Sequence, residues 1–162
     1  MTFQDEGFAE LRRLQEDMLY TEKAHFAAAA QARAAHFGLG GTATVTSAAA
    51  AVSVVSEGAP ALSAVLALIA TLSAALMTFL KPEEVAQQHL GAGRDLGAIR
   101  VEARQAMNLD VSEAQSTADI RTDIREISER KAAVDRAAPA LSERVFEKAR
   151  KKIAAGHFEH EA

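Results

Sequence analysis

Residues 34–80 read AAHFGLGGTATVTSAAAAVSVVSEGAPALSAVLALIATLSAALMTFL. Two blocks of 23 residues, Ala34 to Ser56 and Gly58 to Leu80, contain no Lys, Arg, Asp or Glu, and only Glu57 interrupts them. At roughly 1.5 Å per residue, each block as a helix reaches about 35 Å, enough to cross a hydrocarbon core of about 30 Å with some tilt. Ser56-Glu57-Gly58-Ala59-Pro60 has the chemistry of a tight turn. Gly supplies free backbone geometry, and Pro opens the second helix without losing a needed hydrogen bond. The stretch therefore predicts a transmembrane helical hairpin. The competing reading is a hairpin buried in a soluble bundle, but a bundle of this size rarely keeps two such lengths free of charge.

The two blocks are unequal. The second carries ten large apolar residues between Leu62 and Leu80 and should insert unaided. From Gly38 on, the first has only Leu39, Val45, Val52, Val54 and Val55 against three Gly and six hydroxyl residues. Those five contribute about −2 kcal/mol on the insertion scale. The first helix is thus marginal alone and should pack against neighbours or against water. Thr42, Thr46, Ala49 and Ser53 share one face at helical spacing, and Ser63, Ala67, Ala70, Ala74 and Thr78 form a comparable small face on the second helix. Such faces suit either close helix packing, with hydroxyls bonding across, or the wall of an aqueous pore. The candidate pore-lining or packing residues are Thr42, Thr46, Ser53, Ser63 and Thr78, with Leu62, Leu66, Ile69, Leu76 and Leu80 turned to lipid.

Working outward, the chain divides at 1–33, 34–80 and 81–162, and every segment reads as helix. Phe8, Leu11, Leu14 and Met18 recur at helical spacing. The Ala-rich run 24–35 continues toward the hairpin with nothing before Gly38 to stop it. Lys81-Pro82-Glu83-Glu84 opens a further helix, with Pro and two acids suited to its first turn. Leu90, Leu96, Ile99 and Met107 give that helix a modest apolar side. Asp110-Val111-Ser112 offers a new start. Ile120, Ile124, Ile127 and Val134 then form a short coiled-coil-like seam, interrupted by Lys131, that is expected to join copies of the chain. Glu126 and Arg130 are spaced to pair, as are Glu147 and Lys151. A last helix, with Ser142 as its cap candidate, runs to Ala155 and ends at Gly156. Lys148 to Lys152 carries four basic residues that suit solvent or an anionic lipid surface.

Lys23 and Arg33 precede the hairpin, Lys81, Arg94, Arg100 and Arg104 follow it, and the turn has neither Lys nor Arg. The positive-inside rule then places both termini in the cytoplasm. The first 33 residues carry no apolar core of a secretory signal, so the first block is expected to act as its own insertion signal. The fold class expected is all-α, a two-helix transmembrane hairpin with cytoplasmic N-terminal and C-terminal helices.

The composition excludes several classes. Eighteen Lys and Arg against 22 Asp and Glu give a net charge of −4, with no basic stripe, so no nucleic-acid partner is expected. With no Cys there is no disulfide framework and no thiolate metal site. The glycines do not reproduce a phosphate-binding loop, no nucleophile elbow is present, and no enzyme activity or cofactor is expected. His25 and His36 share a helical face, and His89 approaches them if the flanking helices pack together. Without a ligand-spaced pair no metal site is expected. His36 is expected at the membrane interface, and His25 and His89 in hydrogen bonds between helices.

Tyr20-Thr21-Glu22-Lys23-Ala24-His25-Phe26-Ala27-Ala28-Ala29, two membrane helices, Lys81-Pro82-Glu83, His89-Leu90-Gly91-Ala92-Gly93 and Leu96-Gly97-Ala98-Ile99-Arg100-Val101-Glu102-Ala103-Arg104 follow one another in this chain. Together with Ala138-Pro139-Ala140-Leu141 and Ala149-Arg150-Lys151-Lys152-Ile153-Ala154-Ala155-Gly156, they resemble the SLATT domain, the two-transmembrane effector domain associated with SMODS and SLOG proteins. The likeness covers most of the chain and departs at Leu96, where an aromatic is expected after the glycines. The resemblance implies a membrane effector of a bacterial conflict or anti-phage system in the inner membrane. Such an effector forms a homo-oligomer that opens or disrupts the bilayer when a separately encoded sensor or a nucleotide signal triggers it. The weak first helix leans the same way, since a non-conducting membrane-anchored scaffold that recruits a cytoplasmic partner has no need of one so polar.

Overall fold

A computed structural model describes residues 3–56, 59–108 and 117–156. Its elements are all α-helices: α1 Phe3–Val55, α2 Pro60–Leu80, α3 Pro82–Asn108, α4 Thr117–Ala137 and α5 Glu143–Ala154. The expected turn residues Glu57 and Gly58, the helix start at Asp110-Val111-Ser112, and His157 and His160 lie outside the described residues.

α1 is one helix of 53 residues. It runs from its acidic first turn through the alanine run and on past Gly38, Gly40 and Gly41 without a break. Pro60 opens α2, as its fixed φ favours. The end of α2 is set by Lys81, which takes a left-handed conformation at φ 42 and ψ 53 and donates its backbone N–H to Met77 O at 3.1 Å. Pro82 disfavours a right-handed helical residue before it, so α2 cannot run straight into α3. Lys81 bears that restriction at a cost of about 1 kcal/mol, and its Nζ pairs with Glu84 in the first turn of α3 at 3.1 Å.

The chain forms two compact units, Met1–Ala29 with Gln88–Ala162, and Ala30–Gln87. In the first, Leu11 and Met18 of α1, Leu96, Ile99, Ala103 and Ala106 of α3 and Ile127 of α4 make the core, with Phe8, Leu14, Met107, Ile124 and Val134 packed around it. Leu96, standing where the family resemblance leads one to expect an aromatic, is fully buried here. α5 closes the unit by setting Val145 and Ala149 on Ala24 and Ala28. Ser142 holds the cap position of α5 with extended backbone but makes no side-chain cap bond.

The seam expected to join copies is filled within the chain. Ile120 and Ile127 are buried at 1% and 5% exposure, and Gly7 of α1 comes so close to Ile120 that a Cβ there would stand 2.7 Å from its Cγ2. The spacing was that of a packed helix, and its partners are α1 and α3. The charged residues follow the same logic. Lys131 binds Asp17 of α1 and Asp135 of its own helix, both at 2.8 Å. Arg130 reaches Glu102 of α3 instead of the expected Glu126, and Glu147 pairs with Arg150 in place of Lys151.

Candidate functional site

The second unit holds the hairpin. Two helices are long and apolar enough to cross a membrane, with only 6% and 11% of their most apolar stretches buried. A core helix of a soluble bundle is mostly buried; these present Val45, Val52, Leu62, Leu68, Leu72 and Phe79 outward, all more than half exposed.

The shielded side of α1 in this unit runs through Leu39, Gly40, Ala43, Thr46, Ala50 and Ser53, and that of α2 through Ser63, Leu66, Ala70, Ser73 and Met77. From Gly40 on α1 and from Ser63 on α2, both advance in steps of three and four, the mark of one continuous helix face. Gly40 anchors the pairing, since a Cβ on it would lie 3.5 Å from Met77 Sδ. Of the sequence-predicted residues, the structure puts Thr46, Ser53 and Ser63 on these shielded faces and leaves Thr42 and Thr78 exposed. Leu66, expected to face lipid, is half-buried on the inner stripe, whereas Leu62, Ile69, Leu76 and Leu80 point outward.

The hydroxyls are less costly to lipid than their number suggests. Thr44 donates to Gly40 O at 2.9 Å, Thr46 to Thr42 O at 2.7 Å and Ser56 to Val52 O at 2.9 Å. On α2, Thr71 and Thr78 bond in the same way to Ala67 O and Ala74 O. A hydroxyl bonded to the carbonyl four residues back carries little unsatisfied polarity into an apolar medium. Ser63 is buried without such a bond: it is 8% exposed, and its Oγ has no hydrogen-bond partner among the described residues.

The first unit contains a buried polar interface that sequence reasoning named only in part. Successive turns of α1 place Glu22, His25 and Phe26 toward α3, whose residues His89, Gly93, Gly97 and Arg100 recur at steps of four, four and three. The helices run antiparallel here, so His25 meets His89, Phe26 meets Gly93, and Glu22 meets Gly97 and Arg100. Glu22 is 4% exposed. Its Oε1 accepts from Lys23 Nζ at 2.7 Å and its Oε2 from Arg100 Nε at 2.8 Å, so the buried carboxylate is held from both sides. Lys23 also lies over the Phe26 ring, 5.6 Å from its centroid. The glycines make this possible. A Cβ at Gly93 would stand 2.9 Å from Phe26 Cε1, and one at Gly97 would stand 3.5 Å from the Glu22 carboxyl carbon.

His25 and His89 face one another with Nδ1 atoms 2.9 Å apart and ring planes at 43°. Burial lowers the pKa of both; His89 lowers that of His25 further, against an opposing pull from Asp135. Lys131 holds its proton more tightly than usual: burial works against the charge, but the bonds to Asp135 and Asp17 outweigh it. Among the described residues no three His, Asp or Glu side chains are gathered to hold a metal ion, and two imidazoles alone are an incomplete ligand set. The sequence signal for this interface was the four-residue recurrence of His89, Gly93 and Gly97, where small residues alternate with groups that need partners.

No family model matches the chain, and neither does any curated protein or solved structure.

Proposed function

We propose that this chain is a membrane effector: its hairpin inserts into the bacterial inner membrane with both termini cytoplasmic, copies associate there, and the assembly opens or disrupts the bilayer when a separate sensor or nucleotide signal acts on it. The observation that carries the reading is the outward apolar surface of both hairpin helices, from Val45 to Phe79, which water does not tolerate over two neighbouring helices of this length. The resemblance of the Glu22–Phe26 and His89–Arg100 stretches to the SLATT domain supports the same assignment.

A single hairpin folds Thr46 and Ser53 of α1 and Ser63 of α2 onto its own inner faces, so it holds no water path by itself. A conducting assembly therefore takes its lining from between copies, where the exposed hydroxyls of Thr42 and Thr78 are available. The test is to express the chain in bacterial cells and follow membrane potential with a voltage-sensitive dye, alongside a variant carrying Leu72→Arg on the outward face of α2. Depolarisation by the native chain and none by the variant is the expected result. Overexpression drives the copies together by mass action without the trigger, so full potential in cells whose membrane fraction contains the native chain as an oligomer overturns the effector reading and leaves a membrane-anchored scaffold.

A further inference from the structure

We propose that His25 and His89 form a proton-binding latch that holds α1 against α3 and releases it in acid. This goes beyond the membrane reading and does not depend on it.

The geometry carries the proposal. Two Nδ1 atoms at 2.9 Å are a hydrogen bond only if one proton lies between them. A neutral pair meets this with one ring protonated on Nδ1 and the other on Nε2. A pair with one added proton meets it as imidazolium bonded to imidazole. With two added protons, both Nδ1 atoms carry hydrogen, and two cationic N–H groups face each other in a site where the residues are only 2% and 5% exposed. That state cannot persist with the rings in place.

The surroundings do not rescue it. On α1 the carboxylate of Glu22, three residues before His25, is engaged by Lys23 and by Arg100 of α3. From α4, Asp135 favours a charge on His25, but its carboxylate is already bonded to Lys131, which also binds Asp17. α5 sets the apolar Val145 and Ala149 on the neighbouring Ala24 and Ala28. The pair also stands where release matters. His25 precedes by five residues the point where α1 enters the hairpin unit at Ala30, and His89 follows that unit's last residue, Gln87, by two.

The sign of the pH dependence follows. Burial lowers both folded pKa values below the ordinary 6.5, so below that pH the unfolded chain binds protons that the folded one refuses. The stability from the pair is complete above about pH 6.5 and is lost as pH falls through the lowered values.

The test is the melting temperature of the full chain in detergent between pH 7.5 and 5, native against His89→Gln. Glutamine keeps a donor and an acceptor for His25 but takes no proton, and His36, His157 and His160 are common to both chains. The native chain should lose several degrees across this range and the variant less than half as much. An equal fall in both overturns the latch. Should the variant not fold, histidine-ring NMR titration of the native chain decides: two coupled rings titrating below the ordinary histidine range support the latch, and ordinary, independent titration of all five rings overturns it.

Discussion

Glu22 of α1 and Arg100 of α3, 78 residues apart in sequence, form a 2.8 Å ion pair between side chains that are 6% and 20% exposed. The pair ties the first unit together across its two longest helices. Removing one member of such a pair leaves the other charge buried. Arg100→Met should lower the stability of the helical unit by about 2–3 kcal/mol, somewhat under the 3–5 kcal/mol of a fully orphaned buried charge because Lys23 remains on Glu22. Denaturant titration followed by circular dichroism measures it; a change under 0.5 kcal/mol, roughly that of a surface substitution, would show that the pair is not structural.

The glycines of α3 separate by position. Gly93→Ala drives a methyl to 2.9 Å from the Phe26 ring and should cost about 1–3 kcal/mol by overpacking. Gly91→Ala meets nothing within 4 Å and should raise stability, by up to about 1 kcal/mol, through helix propensity alone. The comparison of melting temperatures is internal: equal effects at the two positions contradict the packing of Phe26 on α3.

Ile127→Asp should destabilise the monomer by several kcal/mol, because it puts a carboxylate without a partner among Leu11, Met18 and Leu96. Its effect belongs to folding. Chemical denaturation at two protein concentrations separates the outcomes, since a loss that vanishes on concentrating the protein points instead to a seam between copies.

Two points at which the sequence left the partner of a helix face open have one physical origin. The spacing of Ile120, Ile124 and Ile127 shows that α4 buries a stripe, but a three-four repeat is the same whether the covering helix belongs to the same chain or another. On α1, the hydroxyl stripe from Thr42 to Ser53 includes residues on both sides of the boundary that the structure draws. Thr44 and Thr46 bond to their own helix, so their polarity does not report which side faces inward. By contrast, the two long apolar helices were legible because each block is 23 uncharged residues in the sequence, long enough to form several helical turns with no charged side. The His25–His89 bond was legible in outline, as a contact between flanking helices. Glu22 was passed over because an acid beside a lysine on an exposed-looking helix carries no mark of burial.

The hairpin faces make a further prediction. Thr46→Leu adds bulk on the inner stripe, beside the α2 face that carries Ala70, and should loosen the pairing of α1 with α2, whereas Thr42→Leu on the exposed side should leave that pairing intact. If copies line a water path with Thr42, the Thr42→Leu chain should still insert and fold yet depolarise cells less than native. Leu is more favourable in lipid than Thr, so failed insertion cannot account for the loss. Full depolarisation by Thr42→Leu removes this residue from the lining.

The absence of native cysteine makes sidedness directly measurable. A membrane-impermeant thiol reagent is added to intact bacterial cells expressing Glu57→Cys, between the sequences of α1 and α2, or Arg13→Cys, on the exposed side of α1. A hairpin that crosses the inner membrane with both ends inside predicts labelling at position 57 once the outer membrane is permeabilised, and labelling at position 13 only after the inner membrane is broken. If position 57 also stays unlabelled until the inner membrane is broken, the turn does not reach the far side and the hairpin does not span the bilayer.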